Sequence, residues 1–357
     1  MSQDSTPTNP PANSETDRAS YPDSPLREAY RGHRPDCTPV WFMGQSVVHH
    51  PEAWDTWDLD AQMRYVLDPE VAVNTALEPV RSFDVDAALC FSDVLLPLRL
   101  VGVDLHSEGI KGVLRLPLRS ATQIDHLVSL DLPDWPRVTA AVHEIRRLLP
   151  AEKVLIAIAA TPFVMASLLV EGASAGGASL QTRIFMQSQP RSWEKLITWC
   201  ANLIRGYATA QIEGGAEVLQ MVDPWVHTLT AAENSCLAEP YARHVFDHFT
   251  EVTKVSCNLG AKHLIAGIAP HVDVVSIGDT LTFAEIAAQI PGKVLQGNLD
   301  PDLLYLPPED LDREVLRVLQ DGANAPAHVF NCAGALPTDL SPDEVRRLVN
   351  FIHNTRI

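Results

Sequence analysis

The sequence predicts an α/β fold of the (β/α)8 TIM-barrel type in a single domain, and three observations carry that reading. Short apolar runs rich in Val, Ile and Leu recur eight times, stretches of helical period separate them, and a chain of 357 residues is long enough for one large barrel. Near-continuous apolar strands belong to a parallel sheet covered on both faces. Eight of them within residues 39–357 favour a sheet closed on itself over an open one.

Taken in order, residues 1–38 carry Pro7, Pro10, Pro11, Pro22, Pro25 and Pro35 among Ser, Thr, Asn and Asp. Such a stretch offers no amphipathic face and is expected to be a disordered extension, with the barrel running over 39–357. The first four strands are expected at Val40–Met43, Asp86–Phe91, Val154–Ile158 and Glu217–Val222. Four more are expected at Thr253–Cys257, Asp273–Ile277, Lys293–Gln296 and His328–Asn331. Between the last two, Leu311, Val315, Val318 and Leu319 share a helical face that starts after Pro307-Pro308 and stops at Gly322. The closing helix is announced by Ser341-Pro-Asp-Glu344, an N-cap, a first-turn proline and a reciprocal glutamate, followed by Val345, Leu348, Val349 and Ile352 on one face.

Charge and composition narrow the function. Lys and Arg number 27 against 45 Asp and Glu, and the net charge of −18 argues against nucleic acid or an anionic membrane as partner. The longest uncharged stretch, Val154–Val170, is broken by Pro162 and is short for a membrane span, and residues 1–20 hold one basic residue, Arg18, and no apolar run. A cytoplasmic protein is expected. Six cysteines without CxxC, CxH or HxC spacing read as reduced thiols rather than structural zinc ligands. No GxGxxG follows the first strand, and GxSxG, HExxH and P-loop patterns are missing.

In a barrel the site lies at the carboxyl ends of the strands. There, Asp93 stands in Phe91-Ser-Asp-Val-Leu95, an apolar setting in which a carboxylate either accepts ligand N–H groups and stabilises a developing cation, or caps the next turn. Asp223, in Val222-Asp-Pro-Trp225, is a second candidate, although Asp before Pro commonly opens a turn, and Trp225 reads as core more readily than as a pocket floor. His49 and His50 are adjacent and diverge, with no spaced partner, so they read as solvated loop residues. Asn298 and Asp300, in Gln296-Gly-Asn-Leu-Asp-Pro301, follow the seventh strand, where barrels often hold anions, and read as a structural turn.

Together these strings resemble the uroporphyrinogen decarboxylase family from about Asp36 to His353. Pro39-Val-Trp-Phe-Met43 resembles its opening strand, Asp86-Ala-Ala-Leu-Cys-Phe-Ser-Asp-Val-Leu95 its "DAAxxFSDIL" segment, and Thr161-Pro-Phe-Val-Met-Ala-Ser-Leu-Leu-Val-Glu-Gly172 its "APFTLASYxxEG". Gln296–Pro301 and His328–Asn331 complete the match. The resemblance implies a homodimer that removes the four acetate carboxyls of uroporphyrinogen without cofactor or metal. It places the family's central aspartate, which binds the pyrrole N–H groups, on Asp93.

The chain departs from the family elsewhere. Where the family reads "MRQAGRYLPE", Met43-Gly-Gln-Ser-Val-Val-His-His-Pro-Glu52 puts Gly44 and Val48 in place of two arginines. Leu168 replaces the site tyrosine, Pro224 the serine of "FDSW", and Gly334 the histidine of "FNLGHG". Gln45, Asp93 and Asp223 keep the pattern as ligand-binding positions. Arg99 could supply a displaced cation, but reads as an exposed loop arginine. Each ligand carboxylate buried without its charged partner costs roughly 1–3 kcal/mol, and loss of a positioned general acid costs about a hundred- to ten-thousand-fold in rate. The resemblance therefore implies carboxy-lyase chemistry on a porphyrinogen or a related, less acidic small molecule, with weak or no action on uroporphyrinogen. A catalytically silent paralogue that binds a tetrapyrrole or a partner protein is the rival. The superfamily's zinc-dependent, corrinoid-linked methyltransferases fit less well, because no His-x-Cys occurs and Cys332 falls two residues early.

Overall fold

The computed structural model describes residues 21–46, 57–91, 93–103, 105–108, 111–114, 117–132, 135–172 and 180–357. Seven parallel strands form one sheet, and a two-stranded antiparallel hairpin is inserted after the first of them. In chain order they are β1 (Ala87–Leu89), the hairpin β2 (Leu105–Glu108) and β3 (Lys111–Leu114), then β4 (Val154–Ala160), β5 (Val218–Val222), β6 (Thr253–Cys257), β7 (Val274–Ser276), β8 (Val294–Leu299) and β9 (His328–Cys332). The sheet order β1-β4-β5-β6-β7-β8-β9 follows the chain without crossing, which is the wrapping of a TIM-barrel-like sheet. Every residue of β4 is buried, as expected of a strand covered on both faces.

The expected closed barrel of eight strands is corrected at its first member. Val40–Met43 forms a single parallel bridge, Val40 to Phe330, instead of a strand. It still touches both edges of the sheet: Phe330 N–H donates to Pro39 O at 2.8 Å and Asp86 N–H to Val40 O at 2.9 Å. A longer ladder is prevented because side chains take the donors, Val40 N–H going to Asp86 Oδ2 (2.8 Å), Phe42 N–H to Gln45 Oε1 (2.9 Å) and Met43 N–H to Asn331 Oδ1 (3.2 Å). Gly44, at φ +72°, then turns the chain away.

Residues 25–38 were expected in the extension, yet Pro25–Tyr30 is a helix capped by Ser24, with Leu26 and Ala29 fully buried. Its six residues are too few to show a periodicity in sequence. At the amino ends of β4 and β5 it is anchored through Arg27, whose Nε lies 2.8 Å from Glu217 Oε2, while Arg146 Nη1 reaches Glu217 Oε1 at 3.0 Å. Deeper in, a buried relay runs from Trp41 Nε1 to the Tyr30 hydroxyl (3.1 Å), on to Gln296 Oε1 (3.0 Å), and from Gln296 Nε2 to Gln220 Oε1 (3.0 Å). Each group in that chain is partnered, as burial demands.

The two helices read from their end signals form as expected, at Pro308–Gly322 and Pro342–Asn354, the latter with both halves of the capping box made. The β2–β3 hairpin was not anticipated; Leu114 N–H donates to Gly172 O (2.7 Å), tying it to the end of the helix Pro162–Glu171. Among the described residues no helix is long and apolar enough to cross a membrane.

Candidate active site

Asp93 follows the carboxyl end of β1 and keeps 41% of its side chain exposed. Its Oδ1 accepts the Leu95 N–H at 2.8 Å, closing the turn into the helix Leu96–Leu100. Its Oδ2 lies 3.4 Å from Arg99 Nε. Arg99 is thus no exposed loop residue: the helix begins at once after the turn and carries its side chain inward, where it is 7% exposed and donates from Nη1 to Leu105 O at 2.9 Å. One carboxylate oxygen is set by a backbone N–H and the other by a guanidinium, while the group still faces solvent. Such an anion is a ready acceptor for ligand N–H groups.

The other two positions that the resemblance gives to ligand contacts are bound into the protein. Gln45 is buried, accepting from Phe42 N–H and donating from Nε2 to Ala87 O at 2.8 Å, so it braces the bridge segment against β1. Asp223 is buried as well; its Oδ1 accepts Trp225 N–H (3.0 Å) and Val226 N–H (2.8 Å), and its Oδ2 accepts the Thr161 hydroxyl in a short bond. Burial pushes its carboxyl up to about 6, against the lowering effect of those hydrogen bonds. It borders a cavity of about 20 Å³, room for roughly one water, shared with Thr161, Asn234, Ser256 and Asn258. That is the turn-opening arrangement, and Trp225 is buried as core.

At the positions where the resemblance expects other residues, neighbouring side chains lie close to two glycines. A Cβ on Gly44 would lie 2.9 Å from Ala335 Cβ, and one on Gly334 would lie 3.4 Å from Pro301 Cγ. The loop after β9 is fastened by Ala333 N–H to Leu299 O and Leu336 N–H to Met43 O, both 2.7 Å. Leu168 is fully buried in the helix Pro162–Glu171, and Pro224 is half-buried in the Asp223 turn. Val48, His49 and His50 lie outside the described residues. Asn298 donates to Gly278 O (3.1 Å) and Leu281 O (2.6 Å), and Asp300 accepts Asp302 N–H (2.9 Å), the structural turn that was expected.

Asn331 and Ser46 lie in strand-end stretches that the sequence points to, but sequence reasoning did not single them out. Asn331 Oδ1 accepts both Met43 N–H and Cys332 N–H, so its amide cannot be turned over without opposing two donors. Its Nδ2 and the Ser46 Oγ are buried and have no partner. The asparagine is visible in sequence at a strand end, but only the fold shows that it caps a distant segment. Among the described residues no cluster of three or more His, Cys, Asp or Glu could hold a metal, and all six cysteines are free.

A TIM-barrel-like α/β protein with a positioned carboxylate at a strand end is the class that fold and site define. The model of the uroporphyrinogen decarboxylase family matches residues 21–355. The chain is 35% identical over 340 residues to a uroporphyrinogen decarboxylase of Arthrobacter sp. (strain FB24), covering 93% of this chain and 97% of that protein. It is 31% identical over 334 residues to that of Bacillus subtilis (strain 168), covering 91% and 93%. It belongs to the uroporphyrinogen decarboxylase family. Among solved structures, a methyltransferase from Methanosarcina mazei superposes with a TM-score of 0.71 at 16% identity, over 92% of this chain and 96% of that one, a likeness of fold alone.

Proposed function

We propose that this chain is a diverged, carboxy-lyase-type member of its family that acts on a porphyrinogen or a related, less acidic small molecule, with weak or no turnover of uroporphyrinogen. The observation that carries this reading is Asp93, held by the Leu95 N–H and Arg99 yet open to solvent, in a chain where Gly44, Leu168, Pro224 and Gly334, at positions the family resemblance gives to ligand contacts, offer no cation, hydroxyl or imidazole. In this reading Asp93 accepts the ring N–H groups of the ligand and stabilises the cation that forms when a pyrrole carbon is protonated. Loss of CO2 from the acetate arm then passes its electron pair to the cationic ring and leaves an exocyclic methylene. Protonation of that carbon makes the methyl group and release of the first proton from the ring carbon restores the pyrrole, so one proton is consumed for each CO2. No cofactor or metal enters this scheme. A homodimer in the cytoplasm belongs to the same reading, supported by family membership.

The rival is a silent paralogue that binds a tetrapyrrole without turnover. What favours it is the closure of the replaced positions, with Gly44 packed on Ala335 and Gln45 committed to the backbone at both ends. Anaerobic incubation with uroporphyrinogen, then oxidation and separation by carboxylate number, decides between them when run beside Asp93→Ala. Products with seven to four carboxylates that vanish in the variant support the enzyme. Porphyrin binding without any product supports the silent form, and neither binding nor product removes the porphyrinogen from both readings and leaves the less acidic small molecule.

A further inference from the structure

Asp223 is a buried carboxylate without a cation of its own. Its hydrogen bonds come from three neutral donors, the Thr161 hydroxyl and the Trp225 and Val226 N–H groups. The exposed His227 acts on it only from beyond ion-pair distance. Burial raises its carboxyl to about 6, so at pH 7.5 most of the charge remains. Buried charges are paired or coordinate metal ions, and Asp223 faces a space instead of a charged side chain.

That space is the cavity of about 20 Å³ on the outer side of the sheet. Gln220 points into the barrel, where Gln296 Nε2 reaches its Oε1 at 3.0 Å, so alternation turns Met221 and Asp223 outward. Met221 is in register with Ser256, which puts Ser256 and Asn258 on the same face, under the helices Ala231–Leu237 and Glu239–Phe246. Ser256 and Asn258 are 2% and 7% exposed, line the cavity, and make no side-chain hydrogen bond to a described residue. Asn234 gives its Nδ2 to Glu239 Oε2 at 3.0 Å, which leaves its Oδ1 uncommitted on the same wall. Two unpartnered polar side chains, an amide oxygen and a carboxylate thus surround room for one water-sized sphere.

We propose that this cavity binds one monovalent alkali cation, held by oxygens of Asp223, Ser256, Asn258 and Asn234. An all-oxygen donor set suits a hard cation. Glu239 also lines the cavity but is answered by Asn234 and by Arg243 Nη1 at 3.9 Å, so one charge is left to neutralise. Magnesium would keep several waters, for which there is no room. A water molecule would fill the space and leave the charge. The site lies on the outer face of the sheet, takes no part in the reaction proposed above and does not rest on it. Bound there, the cation removes the cost of the ionised carboxylate, so the protein is more stable in a potassium or sodium salt than in choline chloride of equal ionic strength.

The test is thermal unfolding of the full chain at pH 7.5 and constant ionic strength, with potassium or sodium chloride replacing choline chloride, on the wild type, Asp223→Asn, Ser256→Ala and Asn258→Leu. Wild-type crystals soaked in thallium(I) acetate are examined beside it for anomalous scattering. The wild-type midpoint is expected to rise with the alkali cation and to saturate, at a lower concentration for whichever ion fits better. Asp223→Asn should abolish the rise, and Ser256→Ala or Asn258→Leu should raise the half-saturating concentration about tenfold. A thallium peak in the cavity together with the lost response of Asp223→Asn sustains the proposal. A cavity that holds water alone in the soaked crystals overturns it, and so does a salt response that Asp223→Asn keeps, because the ion then acts elsewhere. Should Asp223→Asn fail to fold, the thallium peak in the wild type decides by its presence or absence.

Discussion

Gly44 and Ala335 approach so closely that a Cβ added at Gly44 would lie 2.9 Å from the Ala335 Cβ. The glycine also has φ +72°, a conformation that L side chains rarely adopt. Position 44 is where the family resemblance expects an arginine, and the backbone at that position disfavours any side chain.

It follows that Gly44→Arg alone does not restore a family site. The expected outcome is a loss of about 1–2 kcal/mol in stability from the left-handed backbone, more if the loop after β9 is displaced, and no gain in uroporphyrinogen decarboxylation. Gly44→Arg with Ala335→Gly relieves the contact and should recover part of the stability. Chemical denaturation of the two variants checks this, and a fully stable single variant would show that the segment repacks freely.

Ser46 is the second test of this segment. Its hydroxyl is buried without a partner, and such a group costs about 1–3 kcal/mol when left unmade. Ser46→Ala is therefore expected to leave the melting temperature unchanged or to raise it. A clear drop would mean that the hydroxyl has a partner in solution.

The strands from β4 to β9 were legible because buried parallel strands write their burial into short apolar runs rich in Val, Ile and Leu. The first of the eight expected strands was misread because Val40–Met43 is equally apolar, while its ladder is cut short by Asp86, Gln45 and Asn331, residues 3 to 288 positions away in sequence. Helix Pro25–Tyr30 was hidden by its shortness, although Ser24-Pro25 carried the start signal. Asp93 was singled out from its apolar surroundings, and it is held by the Leu95 N–H and Arg99. Arg99 was misjudged because a single arginine in a short helix says nothing of which way it faces until Leu105 and Asp93 are in place. Asp223 was read both as a ligand group and as the opener of a turn; the turn is made locally by the Trp225 and Val226 N–H groups, and it is the Thr161 hydroxyl, from another strand end, that the sequence did not show.

Glu217 holds two buried arginines, Arg27 at 2.8 Å and Arg146 at 3.0 Å, and Tyr21 lies over both guanidiniums at 5.2 and 4.7 Å. Glu217→Ala leaves two cations facing each other out of water. A loss of about 3–5 kcal/mol is expected, read from urea unfolding, with the helix Pro25–Tyr30 becoming the first region to exchange its amide hydrogens. Arg27→Met should cost less, since Arg146 still satisfies the glutamate. A change below about 1 kcal/mol in Glu217→Ala would show that the cluster does not anchor the helix.

Asp223 gives the pH dependence its sign. Burial raises its carboxyl to about 6 from an ordinary 3.8, so across that interval the folded protein binds more protons than the unfolded chain. By linkage, the contribution of this group to stability is greatest below pH 3.8 and is lost as pH rises to about 6, with a steady cost above. The whole effect amounts to at most about 3 kcal/mol. Asp223→Asn removes the titration and keeps an oxygen for the Trp225 and Val226 N–H groups, both of which are bound by Oδ1. Its amide can meet the Thr161 hydroxyl as a donor where the carboxylate was an acceptor. Urea unfolding of both proteins at pH 4, 5, 6 and 7.5 isolates the term, because every other carboxylate cancels in the difference. The stability of Asp223→Asn relative to the wild type is expected to climb between pH 4 and 6 and then level off. A difference that stays flat across the range would mean that Asp223 is ionised at ordinary acidity inside the protein, with water admitted to its cavity.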